Sequence, residues 1–280
     1  MICVIQFLQN SGRALSDALF PKICYGCGRF IESAAALRRS DIDTKSPVDM
    51  SMVQALEQIL APFVCRKCMD EISPVTSPIC TRCGEIITSP AVDDHLCADC
   101  IRREKHFSAA RAAVTFDGVV LQLVHAFKYQ GKAGLAKPLG RILWIALQQH
   151  FNPAKIHRII PVPLHPLRLR KRGYNQALLL ARRWPEWLAP IMAENNAPRI
   201  DDTILLRRKN TETQTGLGKQ QRRENIGNAF AVAEGTRLRD EHVLIVDDVY
   251  TTGSTLEECA RVLRGAGAAR VDVLTLARAL

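Results

Sequence analysis

The second half of the chain alternates short apolar runs with amphipathic stretches, which is typical of strands separated by helices. The clearest predicted helix covers Ser254–Gly265, where apolar residues recur at helical spacing. Such an order favours right-handed crossovers, so we expect an α/β fold with a mainly parallel sheet flanked by helices. The predicted strands are Ala112–Phe116, Arg158–Val162, Thr203–Leu206, Phe230–Val232, Val243–Val246 and Val271–Leu276.

Three further helices are predicted from apolar stripes: one around Val119–Phe127, one over Gln176–Trp187, and one over residues 1–20 that Pro21 limits. The apolar run at residues 2–8 is far shorter than a membrane-spanning helix. No basic residue precedes it, as one would in an export signal. We therefore expect no transmembrane segment and a cytoplasmic location.

Composition adds one unusual feature, which is ten cysteines in 280 residues. Eight of them form four Cys-x-x-Cys pairs before residue 101. In a reducing compartment such pairs are more often metal ligands than disulfides, and two pairs complete a tetrahedral Zn²⁺ site with no open position. We predict two structural zinc ions. Their ligands would be Cys24, Cys27, Cys65, Cys68, Cys80, Cys83, Cys97 and Cys100.

Spacing leaves the assignment of pairs to ions open. Cys24/Cys27 could share an ion with Cys65/Cys68 in sequential order, or with Cys80/Cys83 in a cross-brace. His95 is a conceivable substitute ligand, although a surface histidine is the better interpretation. The remaining cysteines, Cys3 and Cys259, are expected to pack in apolar surroundings.

These patterns divide the chain into three parts. Residues 1–20 form the N-terminal amphipathic helix. Residues 21–105 form a zinc-binding domain of the four-cysteine type, interrupted by an insertion at about 33–62 that includes a helix near Met50–Leu60. Residues 106–280 form the α/β domain.

The net charge of +10 is concentrated in one segment. Residues 155–224 contain fifteen Lys and Arg against six Asp and Glu, which amounts to +9. Arg168, Arg170, Lys171 and Arg172 are the densest part of this segment. Such a cluster favours anionic partners, and arginine suits phosphate because its planar guanidinium donates two hydrogen bonds at once.

The most specific signal is the run from Val243 to Thr255. Four apolar residues predict a buried strand, Asp247 and Asp248 follow at its carboxyl end, and a turn rich in Thr, Gly and Ser opens a helix. Open α/β sheets bind ligands at strand carboxyl ends, and a helix N-terminus offers backbone N–H groups to phosphate. Adjacent acids could hold ribose hydroxyls, or Mg²⁺ through water.

This run resembles the 5-phosphoribosyl-1-pyrophosphate (PRPP) signature of type I phosphoribosyltransferases. The resemblance implies binding of PRPP with Mg²⁺. It also implies that Asp247 and Asp248 contact the ribose 2- and 3-hydroxyls as the catalytic acids. The residues that match the loop around the 5-phosphate are Thr251, Thr252, Gly253, Ser254 and Thr255.

Further motifs resemble the competence protein F (ComF) family. They are Lys128-Tyr129, Pro161–His165, Gly173–Gln176, Thr213–Leu217 and Arg222–Asn225. Together with the four Cys-x-x-Cys pairs, the resemblance covers nearly the whole chain. It implies a type I phosphoribosyltransferase fold for residues 106–280 and handling of single-stranded DNA in natural transformation, with the DNA-uptake machinery as a partner. The departure is Ser33–Pro62, which is longer than the family pattern leads us to expect.

The same resemblance places Arg168–Gly173 in a loop that approaches pyrophosphate, and Arg207–Asn225 in a mobile loop that closes over PRPP. The basic cluster therefore has two candidate ligands, pyrophosphate and the phosphates of DNA. Three hypotheses follow: a PRPP-binding protein that handles incoming DNA, a salvage phosphoribosyltransferase, and a PRPP-sensing regulator without turnover. An enzyme would transfer ribose 5-phosphate from PRPP to a nucleobase, with the base displacing pyrophosphate from the ribose C1.

Overall fold

The computed structural model describes residues 22–31, 51–88, 93–192, 197–209 and 227–280. The predicted helix over 1–20 and residues 33–50 of the predicted insertion lie outside these ranges. The strands are β1 Ala109–Thr115, β2 Arg158–Pro161, β3 Arg199–Ile200, β4 Leu205–Arg207, β5 Phe230–Val232, β6 His242–Tyr250 and β7 Arg270–Arg278. The helices are α1 Met52–Leu60, α2 Arg66–Met69, α3 Ala98–Arg102, α4 Gly118–Tyr129, α5 Ala136–His150, α6 Pro166–Arg172, α7 Gln176–Ala181, α8 Trp184–Leu188 and α9 Ser254–Gly265.

Five strands form one parallel sheet in the order β1-β7-β6-β2-β3, which confirms the predicted fold class. Strands β4 and β5 form a separate antiparallel pair. The pairing of β2 with β6 ends at Pro161 opposite Val246, whereas β6 continues beside β7 as far as Tyr250 opposite Arg278. The last residues of β6 therefore border a crevice at the carboxyl end of β2.

The side chains of β6 enter two cores in alternation, because successive side chains of a strand face opposite sides of the sheet. Leu244 and Val246 pack in the core that contains α4, α5 and α7. Val243 and Ile245 pack in the core beneath α9. The chain thus has helices on both faces of its sheet, as a parallel sheet requires.

Helix α5 was not predicted, since its apolar residues run continuously from Ile142 to Leu147, and such a run does not distinguish helix from strand. The structure explains the run, because α5 is covered by α1 and α7 and by strands β1 and β7. Gly140 permits the close approach of α5 to α7. A Cβ atom there would lie 2.3 Å from the backbone oxygen of Leu180 in α7.

Two local predictions were wrong. The single helix predicted over Gln176–Trp187 is divided into α7 and α8, with Pro185 in the first turn of α8, where proline is tolerated. The strand predicted at Thr203–Leu206 is shifted to β4 and pairs with β5 rather than with the main sheet. The short strand β3 was not predicted either.

Residues 73–82 run along the free edge of β1. Val75 donates to the carbonyl of Ala113 (3.0 Å), and Ala110 donates to the carbonyl of Arg82 (2.7 Å). These hydrogen bonds pair backbone groups of β1 that would otherwise be unpaired at the edge of the sheet. Within the described ranges, no helix combines the length and the apolar character needed to cross a membrane.

Candidate functional site

The paired cysteines form two clusters, in sequential order. Within each cluster every ligand sulfur lies within 4.8 Å of the others. The Cys27 and Cys65 Sγ atoms are 3.7 Å apart, as are those of Cys83 and Cys97. Tetrahedral zinc with bonds of about 2.3 Å places its sulfurs about 3.8 Å apart, so both clusters have the size that zinc requires. The first cluster is Cys24, Cys27, Cys65 and Cys68, and the second is Cys80, Cys83, Cys97 and Cys100.

The two clusters are built by the same local geometry. In the first cluster, the N–H groups of Gly26 and Cys65 donate to the Cys24 Sγ at 3.4 and 3.3 Å. In the second cluster, the N–H groups of Cys83 and Cys97 donate to the Cys80 Sγ at 3.4 and 3.3 Å. Gly28, like its counterpart in the second cluster, has a φ of +72°, which glycine adopts without strain.

Backbone donors favour thiolate at one position of each cluster. Burial opposes ionisation of Cys24, yet N–H donors from Cys65, Cys27 and Gly26 lower its pKa to about 6. By the same balance, the pKa of Cys80 falls to about 7. A set of four sulfurs, one of which accepts backbone N–H groups, fits a structural zinc ion. His95 is exposed and lies outside both clusters.

The predicted acids lie at the crevice between β2 and β6. The chain leaves β2 toward β3 on one side and leaves β6 toward β7 on the other, which makes this crevice the topological switch point where α/β sheets bind ligands. Asp248 is buried, and its Oδ1 lies 2.6 Å from the Nζ of Lys128 at the end of α4. In the sequence, Lys128 is part of a family motif but carries no sign of a role in the site.

Asp247 and Asp248 interact through the backbone as well as through their charges. The N–H of Asp248 donates to the Asp247 Oδ1 at 2.8 Å. Burial and the neighbouring charge of Asp248 raise the pKa of Asp247 to about 7, although Lys128 opposes this shift. Burial lowers the pKa of Lys128, but the charge of Asp248 raises it above its ordinary value. Burial and the charge of Asp248 therefore both favour the protonated form of Asp247 relative to an exposed aspartate.

The Thr251–Thr255 turn connects β6 to the N-terminus of α9. Gly253 has a φ of +73°, and a Cβ atom there would lie 2.2 Å from the hydroxyl oxygen of Tyr250. Thr252 and Ser254 join their hydroxyls at 3.0 Å across the turn. Hydroxyls and the N–H groups at the start of a twelve-residue helix suit an anionic phosphate. The structure thus brings this turn to the same end of β6 as the acids.

The predicted basic cluster lies on a short helix, α6, rather than in a loop. Arg170 and Lys171 are exposed, whereas Arg168 and Arg172 are partly buried. Arg172 donates to the Oε1 of Gln176 (2.6 Å), and its guanidinium lies 5.0 Å from the ring centre of Tyr129.

Arg207, at the end of β4, is like Lys128 a basic residue near the acids that the sequence did not indicate. Burial and the charge of Arg168 lower the pKa of Arg207, and Asp247 is within electrostatic reach. Arg207 therefore acts on Asp247, and Arg168 lies within electrostatic reach of Arg207. Most of the predicted mobile loop, residues 210–226, lies outside the described residues.

The Gly173–Gln176 motif has a structural role here. Gly173 ends α6 in the left-handed conformation, and the hydroxyl of Tyr174 donates to the carbonyl of Phe127 in α4. Asn175 caps α7 and donates to the carbonyl of Val162 (3.1 Å). The motif therefore fixes α6 against α4 and the end of β2.

Comparison with known proteins agrees with this geometry. Residues 197–280 match the phosphoribosyl transferase domain family. The chain is 33% identical to competence protein F of Haemophilus influenzae, over 77% of this chain and 90% of that protein. It is 32% identical to DNA utilization protein YhgH of Escherichia coli O6:H1, with 72% and 85% covered, and 28% identical to competence protein ComFC of Bacillus subtilis, with 77% and 84% covered.

Proposed function

Because the chain belongs to the competence protein F (ComF) family, we propose that it binds PRPP with Mg²⁺ and handles incoming single-stranded DNA in the cytoplasm during natural transformation. One observation carries the PRPP part of this proposal. The carboxylates of Asp247 and Asp248 and the Thr251–Thr255 turn meet at the switch point of the parallel sheet.

Each part of the site suits one part of PRPP. Asp247 and Asp248 would accept hydrogen bonds from the ribose hydroxyls, and the Thr251–Thr255 turn would hold the 5-phosphate. Arg168 and Arg207 would face the pyrophosphate. Mg²⁺ would neutralise pyrophosphate charge, held through water by the acids. In this arrangement the ion pair with Lys128 holds Asp248 in place for the sugar.

Calorimetric titration with PRPP in the presence and absence of Mg²⁺ tests this proposal. We expect binding that requires Mg²⁺ and that weakens by about tenfold or more in Asp248→Asn, because a charged hydrogen-bond acceptor is lost. Asp202→Asn, which changes an exposed acid, is the matched control and should bind as the wild type does. Wild-type protein that shows no binding of PRPP with Mg²⁺ would refute the proposal.

Turnover is decided by a separate measurement. Release of pyrophosphate with one member of a nucleobase panel would identify a phosphoribosyltransferase. PRPP binding without release would leave a binding protein. If PRPP also changed the affinity for DNA without turnover, the chain would act as a PRPP-sensing regulator.

The exposed pair on α6 supports the DNA part of the proposal. Arg170 and Lys171 are exposed within the segment of charge +9 and lie on the same helix as Arg168. Binding to single strands releases counterions, so affinity should fall steeply as salt rises. Replacing both residues by Ala should weaken binding about tenfold and reduce the salt slope by about one.

The matched control removes two exposed basic residues from the opposite end of the sheet, in Lys155→Ala/Arg237→Ala. This variant should bind single strands almost as the wild type does. Equal loss in both double variants, or a flat salt dependence, would count against α6 as the DNA surface. Displacement of a labelled single strand by PRPP would further indicate that both ligands share this end of the sheet.

A further inference from the structure

The second cysteine cluster contacts the last strand of the sheet through Arg278. The Nη1 of Arg278 donates to the carbonyl of Cys83 at 2.8 Å, and its Nη2 lies 3.8 Å from the Cys83 Sγ. Arg278 is only 7% exposed, so its guanidinium is enclosed between the cluster and the sheet. A buried guanidinium with such partners is strongly restrained in position.

The same guanidinium supports the Thr251–Thr255 turn through one aromatic ring. Tyr250 lies opposite Arg278 in the β6–β7 register, and the Arg278 Cζ is 4.3 Å from the centre of its ring. The far end of this ring lies against Gly253, since a Cβ atom there would be 2.2 Å from the hydroxyl oxygen. A continuous series of contacts therefore runs from Cys83 through Arg278 and Tyr250 into the turn.

A second connection reaches the other side of the turn. The chain that leaves the second cluster places His106 beside α9, where its N–H and Nδ1 lie 3.0 and 2.6 Å from the Oε1 of Glu257. Between the two connections lies a cavity of about 220 Å³. Its lining includes Lys105, Phe107, Tyr250, Gly253 and Ser254.

The first cluster borders a different element. A Cβ atom at Gly26 would lie 2.9 Å from Val119 in α4, so this cluster packs on the opposite face of the sheet. Cys80, Cys83 and Cys100 belong to the core beneath α9. The two clusters are alike in local geometry but contact different parts of the molecule.

We propose that Arg278 is a positioning residue that couples the second cysteine cluster to the Thr251–Thr255 turn, so that an intact cluster raises the affinity of the turn for a sugar 5-phosphate. The identity of that ligand rests on the proposed function. The coupling between cluster and turn does not. Arg278 acts through Tyr250 and does not touch the ligand.

The test compares two ligands that occupy opposite ends of the proposed site. Titrations with ribose 5-phosphate and with pyrophosphate plus Mg²⁺ are made on wild type and Arg278→Met. Loss of a charge-assisted hydrogen bond should weaken ribose 5-phosphate binding about tenfold. Pyrophosphate binding should change less than about twofold, because Arg168 and Arg207 lie elsewhere. Equal weakening of both ligands, or of neither, would overturn the proposal.

Hydrogen exchange of the backbone amides at 251–256 supplies a readout that needs no ligand. Exchange should accelerate in Arg278→Met, and by a smaller factor in Tyr250→Phe, which keeps the ring against the guanidinium but removes the hydroxyl that lies against Gly253. Arg270→Met is the matched control, since it removes an arginine from the other end of β7 and should leave the turn unchanged. If wild type binds neither ligand, the proposed function fails, while the exchange result still decides the coupling.

Two equivalent cysteines, one in each cluster, test whether the second cluster in particular affects the turn. Cys65 and Cys97 each precede a short helix in their own cluster, and both are half-buried. Cys97→Ser should accelerate exchange in the turn, and Cys65→Ser should not. Equal effects would refute the coupling. If Arg278→Met does not fold, Arg278→Lys replaces it, and exchange should then lie between wild type and Cys97→Ser.

Discussion

The carboxylate of Asp247 costs stability in the unliganded protein, because burial and Asp248 disfavour its ionised form. Its pKa is raised to about 7, so the folded state holds a proton that the unfolded state releases near pH 4. Stability from this group is therefore present at low pH and is lost as pH rises toward 7. Two acids held together for ligand binding therefore lower the free energy of unfolding of the protein without ligand.

Asp247→Asn should accordingly stabilise the unliganded protein by about 2 kcal/mol at pH 8, with little gain at pH 4. Urea unfolding at the two pH values measures this difference. Asp202→Asn, an exposed acid, should change neither value by more than about 0.5 kcal/mol. A gain of equal size at both pH values would mean that charge is not its cause.

Lys128 and Asp248 form an ion pair with both side chains mostly enclosed, 19% and 9% exposed. Removing one partner leaves the other charge buried without compensation. Lys128→Met should therefore lower the free energy of unfolding by about 2–3 kcal/mol, measured by chemical denaturation at pH 7. Lys132→Met, at an exposed lysine nearby, should cost less than about 0.5 kcal/mol, and a similar loss in both variants would contradict the pairing.

At the scale of elements, helices and strands were predicted correctly where the local spacing of apolar residues was distinctive. Strand β5 and helix α9 were predicted with their observed bounds, and the helix near Met50–Leu60 is confirmed as α1. Helix α5 escaped prediction because it is buried nearly all round, and a continuous apolar run does not distinguish helix from strand. Its burial comes from α1 and α7, whose positions no local pattern contains.

The packing of α5 on α7 depends on Gly140. Because a Cβ atom there would lie 2.3 Å from the backbone oxygen of Leu180, Gly140→Ala should push the helices apart. We expect a loss of about 2–4 kcal/mol in unfolding free energy, as for an overpacked core. Gly134→Ala, where the added methyl meets nothing within 4 Å, is the control and should be close to neutral. Equal stability of both variants would contradict this packing.

On the scale of the whole molecule, the cysteine clusters lie on the two faces of the sheet and the chain between them covers the edge of β1. The cysteine-rich part is thus joined to the sheet by core packing and by backbone hydrogen bonds. Metal bound to such a part stabilises the folded state, because the unfolded chain offers no preformed site.

Metal analysis of protein purified under reducing conditions should find two zinc ions per chain, since each cluster supplies four thiolates. Cys65→Ser and Cys97→Ser should each reduce this number to one. Chelation at neutral pH should lower the melting temperature of the wild type by several degrees or more. Protein without zinc, or with unchanged melting after chelation, would refute the assignment.

The sequence by itself determined the fold class, the eight paired cysteines and the acids beside a turn rich in Thr, Gly and Ser, because each of these is recorded in residues close together along the chain. Only the tertiary structure decided that the cysteine pairs combine in sequence order and that Lys128 meets Asp248. It also decided that Arg278 meets Cys83, 195 residues away. Contacts of this kind depend on which strands become neighbours in the sheet, and that choice is made by packing rather than by local pattern.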